Sequence, residues 1–168
     1  MGIDPGLSRC GYCVLEPRPR GRARAVALGV LRTPPGEPVH LRLGELQGEL
    51  RALFDEYRPE ALALERVLFQ VNVRTAMSVG QASGLAMAEA AARGCDVVEY
   101  SPNQVKQAVT GHGAASKEQV QRMVQTLLGL AELPEPPDAA DAAAIALCHL
   151  ALAPMAQAVQ TAGSGGSR

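Results

Sequence analysis

Two short apolar stretches, each closed by an acid, constrain this chain more than anything else in it. Gly2-Ile3-Asp4-Pro5-Gly6 reads as a strand end, an acid and a Pro-Gly turn. Ala61-Leu62-Ala63-Leu64-Glu65 follows Pro59 and is an unbroken apolar run closed by a second acid. A run this short with no polar face suits a strand buried on both sides, inside a sheet covered by helices. If the two strands are parallel neighbours, Asp4 and Glu65 emerge at one sheet edge, where α/β proteins gather their sites.

The rest of the pattern agrees with such a sheet. Arg9 to Glu16 reads as a second strand, Pro17 to Gly21 as a hairpin connection, and Arg22 to Thr33 as a third strand. After Pro34-Pro35-Gly36, the leucines at 43, 46, 50 and 53 with Phe54 and Tyr57 make an amphipathic stripe, predicting a helix of about twenty residues. Arg58-Pro59 ends it. Leu68 to Arg74 reads as a loop. A second helix is predicted from Thr75 to Arg93, with Gly94 as its stop. Cys95 to Tyr100 is a fifth strand. Ser101-Pro102 and Ser116 are starts of two further helices, and a last one is predicted from Asp138 to Ala153. Two hairpin steps followed by strand–helix–strand crossovers imply an α/β fold with a mixed five-stranded sheet flanked by helices.

The first strand is short against the usual five or six residues. That brevity suggests a strand cut at its start and predicts weak pairing. Residues 1–153 are expected to form one domain, with 154–168 a disordered tail that turns Gly/Ser-rich at its end.

Two more acids complete a set. Asp138 and Asp141 lie three apart at a helix start, so they share a face, and that face continues through Ile145, His149 and Leu152 toward a core. Each acid has an ordinary reading alone: Asp138 as a helix N-cap, Asp4 as a turn residue, Glu65 as a solvated strand end. Together, four partly buried carboxylates would repel strongly unless cations lay among them. Oxygen donors without Cys or His favour Mg2+, with Mn2+ able to substitute, and two such ions suit phosphodiester cleavage.

Composition bears on compartment and partner. The 168 residues contain no apolar run long enough for a membrane span and no visible signal peptide, so a cytoplasmic protein with no membrane role is expected. Cys10 and Cys13 form a C-x-x-C, but three residues apart on a strand they point to opposite faces and cannot grip one ion. The net charge of −1 is a weak footprint for nucleic acid. The only two lysines, Lys106 and Lys117, fall in a stretch that is locally basic. Gly80 and Gly84, with Ala76, Ser83, Met87 and Ala91, mark a helix face to which another backbone comes close: its own sheet or a second subunit.

These segments, with Ala63-Leu64-Glu65-Arg66-Val67, Gly80-Gln81-Ala82-Ser83-Gly84, Asn103-Gln104-Val105-Lys106-Gln107 and Asp138-Ala139-Ala140-Asp141 running on to Ala146, closely resemble the RuvC family, the bacterial crossover-junction endodeoxyribonucleases or Holliday-junction resolvases. The resemblance runs in order to about residue 152. It implies an RNase H-like (retroviral integrase-like) fold, a homodimer, and paired nicks on opposite strands of a four-way DNA junction. It implies metal ligands at Asp4, Glu65, Asp138 and Asp141, with two Mg2+ per site. Phosphate-binding cations fall on Lys106 and Lys117. It also implies a base-stacking aromatic in the loop after Glu65. Leu68 stands where one aromatic is expected, which leaves Phe69, flanked by Arg66 and Arg74 as phosphate contacts. Gly80, Gly84 and Met87 would lie at the dimer interface. Association with the RuvA and RuvB branch-migration complex is a family expectation.

Three other readings compete. An actin-like ATPase opens similarly but needs two lobes, which this length does not supply. A related single-domain nuclease could act on other branched DNA or RNA–DNA hybrids. A catalytically silent junction binder would not need all four acids and both lysines.

Overall fold

The computed structural model describes the backbone of residues 1–66 and 73–164, with side chains described over 1–66 and 76–153. Five strands form one sheet: β1 (Gly2–Asp4), β2 (Arg9–Arg18), β3 (Arg22–Arg32), β4 (Ala61–Glu65) and β5 (Asp96–Tyr100). Their spatial order is β3-β2-β1-β4-β5. The β1–β2 and β2–β3 pairs are antiparallel, and β1–β4 and β4–β5 are parallel. The sheet is therefore mixed, with the two acid-ended strands side by side and parallel.

β1 is only three residues long, yet it is paired on both sides. Asp4 lies opposite Gly11 of β2, and Ile3 opposite Leu64 of β4. Met1 extends the pairing: its amino group donates to the Ala61 carbonyl at 2.7 Å, and its carbonyl accepts from the Ala63 N–H at 2.8 Å.

Helices cover both faces. α1 (Val39–Tyr57) and α2 (Val73–Ala91) lie on one side. There Leu46, Leu50 and Phe54 of α1 and Ala82, Ala86 and Ala90 of α2 close over Ile3, Cys10, Leu62 and Leu64. α3 (Pro102–Thr110), α4 (Lys117–Leu128) and α5 (Pro137–Ser164) lie on the other, over Cys13, Ala63 and Tyr100. Cys10 and Cys13 thus enter different cores from opposite faces of β2, as strand alternation requires. All four cysteines are free and buried.

Some elements depart from the sequence reading. α2 begins at Val73, not Thr75, and its α-helical part ends at Ala91 before a turn through Gly94 at φ +67°. α5 continues as helix to Ser164, so the backbone of 154–164 is not the irregular tail expected, and the helix runs 28 residues. α5 is also apolar nearly all round: Ala139, Ala140, Ala142 to Ala144, Ile145, Ala146 and Cys148 are all buried. A helix of that kind belongs in an interior, and its alanines let it lie very close to the sheet.

Candidate active site

The parallel pairing of β1 and β4 brings Asp4 and Glu65 to adjacent strand ends. Two glycines bring α5 to meet them. A Cβ on Gly11 would strike the Asp138 carbonyl, and one on Gly2 would strike the Ala142 carbonyl and Ala146. Because neither exists, α5 lies directly on β1 and β2, and its first turn delivers Asp138 and Asp141 beside Asp4.

Asp4, Glu65 and Asp141 line a cleft of about 300 Å³ together with Lys106 and Lys117. Its apolar wall is Val105 and Val120 with Ala144 and Ile145 of α5. Both lysines owe their places to helix starts. Ser101 caps α3 and Ser116 caps α4, each accepting from the backbone N–H three residues on, with Gln104 and Gln119 completing the capping boxes. Lys117 is the first residue of α4, and its ammonium reaches Asp141 Oδ2 at 3.1 Å. That bond is the main cause that raises the Lys117 pKa above its ordinary value. Asp138 does not line the cleft. It sits on the β2 side of Asp4, where the Arg9 guanidinium approaches its Oδ2 at 3.4 Å.

The electrostatics record the crowding. Burial, then the charges of Asp141, Glu65 and Asp138, push the Asp4 carboxyl up to about 7, with Lys117 opposing. Glu65 is also raised, by burial first and then Asp141, against the pull of Lys117 and Lys106. Among the described residues, no three His, Cys, Asp or Glu side chains already stand as an ion cage. Two of the four acids instead hold cationic side chains. The donor set still fits a hard divalent cation: oxygen-only side chains, and a buried Asp138 Oδ2 that accepts no hydrogen bond among the described residues, since Arg9 approaches it without donor geometry.

Other sequence-predicted residues are distributed as follows. Arg66 follows β4 and is exposed, its backbone N–H bonded to the Tyr100 carbonyl at 2.7 Å. Arg74 lies in the first turn of α2, with its side chain outside the described residues, and Phe69 is outside them altogether. Gly80 and Gly84 face open space: among the described residues, nothing lies within 4 Å of where a Cβ would stand. Their own sheet is therefore not what they approach. Ala76 and Ser83, which the sequence placed on the same face, turn inward and are buried. Met87 packs partly against the α1-side core.

Two contributors were missed. Arg9 showed no signal in the sequence beyond opening a strand. Arg42 on α1 is buried, donating to Thr33 Oγ1 at 3.0 Å and Ser8 Oγ at 2.6 Å, while Thr33 Oγ1 donates to the Leu7 carbonyl. This chain of bonds holds the turn that follows Asp4. A charged residue beside a leucine stripe looks solvated until the partner hydroxyls are known to be there.

Comparison with known proteins agrees with the geometry. A model of the family described as "Crossover junction endodeoxyribonuclease RuvC" matches residues 1–149. A protein of that name from Corynebacterium jeikeium (strain K411) is 48% identical over 137 residues, which is 80% of this chain and 82% of that protein. Among solved structures, T. thermophilus RuvC in complex with Holliday junction substrate is similar with a TM-score of 0.87 and 41% identity, covering 92% of this chain and 94% of that one. A second structure, of Thermus thermophilus RuvC, gives a TM-score of 0.85 at the same identity, covering 92% of this chain and 95% of that one. With its mixed sheet, its flanking helices and its acids at one sheet edge, this chain belongs to the RuvC family of crossover junction endodeoxyribonucleases.

Proposed function

We propose that this protein is a structure-specific endonuclease that resolves four-way DNA junctions by metal-dependent hydrolysis, with Asp4, Glu65, Asp138 and Asp141 as the metal ligands. One observation carries the reading. In a member of this family, acids from two parallel strand ends and one helix start surround Asp4 beside a lysine-flanked cleft.

Mg2+ is the cation the all-oxygen donor set suits best, with Mn2+ as substitute. Two such ions, held by these four acids, would supply an activated water and charge compensation at the leaving oxygen. The chain's own residues do the rest. The four carboxylates would hold the cations at the sheet edge. Lys106 and Lys117 draw in the backbone phosphates next to the cut, and Lys117 leaves Asp141 to do so. The apolar wall limits water to the cleft. Arg66, after β4, and Arg74, in the first turn of α2, flank Phe69 in sequence; we assign all three to the junction centre, with Phe69 stacking on an unpaired base.

Paired nicks require two sites. The exposed α2 side bearing Gly80 and Gly84, with Met87 at its margin, is the surface we assign to a two-fold homodimer. RuvA and RuvB are the partners expected to supply the junction. A cytoplasmic setting is consistent with four free buried cysteines. Among the described residues, no helix is long and apolar enough to cross a membrane.

The direct experiment uses a labelled mobile four-way junction and a linear duplex, each with Mg2+. Symmetric nicks on the junction alone are expected. Asp4→Asn should abolish them while leaving junction binding intact, and normal cutting by that variant would remove the metal-site reading.

A further inference from the structure

The proposed function uses two lysines and leaves one cation at the site unexplained. Each acid of α5 carries a cationic side chain: Lys117 on Asp141 at 3.1 Å and Arg9 on Asp138 at 3.4 Å. Arg9 does not line the cleft with Lys106 and Lys117. It stands on the β2 side of the acids, at the first residue of that strand.

Its position follows from the backbone. Arg9, Gly11 and Cys13 alternate onto one face of β2, and Cys13 lies in the core beneath α5. Gly11 lets the Asp138 carbonyl rest on the strand. Arg9, two residues away, is thereby held over the Asp138 side chain. The contact is coulombic only, because the buried Oδ2 accepts no hydrogen bond. The Arg9 side chain is 52% exposed, and it makes no hydrogen bond among the described residues. A planar guanidinium with free donors, at the rim of a phosphodiester-cleaving site, is suited to fork onto a phosphate.

We propose that Arg9 is an exchangeable phosphate clamp. In the metal-free protein it neutralises Asp138. When a divalent cation takes Asp138, like-charge repulsion releases the guanidinium, and it binds a backbone phosphate of the DNA strand on the β2 side of the cut. This rests on the reading of the acids as a metal site and of DNA as substrate. Two consequences of opposite sign follow. Arg9 competes with the cation for Asp138, so its removal tightens metal binding in the absence of DNA. Arg9 also contributes one phosphate contact, so its removal weakens DNA binding and flattens its salt dependence.

The test uses Arg9→Gln and Arg9→Lys in the full chain. Mn2+ is titrated by calorimetry without DNA. Binding of a synthetic four-way junction is measured in Ca2+ over a range of salt. For Arg9→Gln the expected result is Mn2+ affinity raised about 3- to 10-fold. The logarithmic salt slope for junction binding should fall by about one. Arg9→Lys should keep the slope. An unchanged or weaker Mn2+ affinity, or an unchanged slope, overturns the clamp. Asp4→Asn runs alongside: its loss of Mn2+ binding shows the metal site standing, so a negative result at Arg9 then counts against Arg9 alone.

Discussion

Asp4 is a residue whose charge folding makes costly. Its carboxyl is raised from about 3.8 to about 7, by burial first and by three neighbouring acids next. The folded chain therefore holds that proton more tightly than the unfolded chain. The stability this contributes is complete below the unfolded value and is lost as pH rises through the folded one. Metal-free protein should be less stable near pH 8 than near pH 6 by about 1 kcal/mol from this group, a few degrees in Tm. Asp4→Asn should remove that part of the difference. Added Mg2+ should restore stability mainly at the higher pH, since the cation prefers the ionised carboxylates. Thermal melts in chelator and in Mg2+ at both pH values check this.

At the scale of elements, the site depends on how closely α5 approaches β1 and β2. The alanine run and the acid pair were legible as an inward-facing helix. The seats that receive it were not, because glycine in a short strand reads equally as a turn or a weak spot. Gly11→Ala places a methyl against the Asp138 backbone, so the helix start must move. We expect about 1–3 kcal/mol of destabilisation, as for other overpacked contacts. Nicking should fall further, on the order of a hundredfold, because the proposed metal site tolerates a displaced carboxylate poorly. Urea unfolding and junction nicking of the same preparation separate the two effects. α1 and α2 show a second contact that periodicity does not reveal. Glu89, buried in α2, accepts from Gln47 and Arg51 of α1 and from Arg93 beyond the helix end. That bond set fixes α2 to α1 and leaves the Gly80 and Gly84 side facing outward.

For the whole molecule, the proposed homodimer puts the second copy against that outward side. Gly84→Arg adds a side chain into open space and replaces a helix glycine that costs ~1 kcal/mol against alanine. The variant should fold with equal or higher Tm but sediment as a monomer, and it should lose paired nicking. A variant that remains dimeric in analytical ultracentrifugation would place the two-fold axis on another surface.

Elements and candidate acids were legible along the chain. Strand, helix and turn signals depend on neighbours a few residues away, so five strands, the capped helices at Ser101 and Ser116, and the opposed faces of Cys10 and Cys13 could all be read from the chain. The four acids could be named because carboxylates at strand ends and a helix start are local features too. What those local features meet depends on the packed fold. The parallel pairing of β1 with β4 set Asp4 beside Glu65, the absent side chains of Gly2 and Gly11 set the depth of α5, and Arg9 and Lys117 came to rest on the acids between them. Those contacts join residues that lie from 24 positions apart, for Lys117 and Asp141, to more than a hundred, for Arg9 and Asp138, and their energies depend on burial and distance, which no pattern along the chain contains.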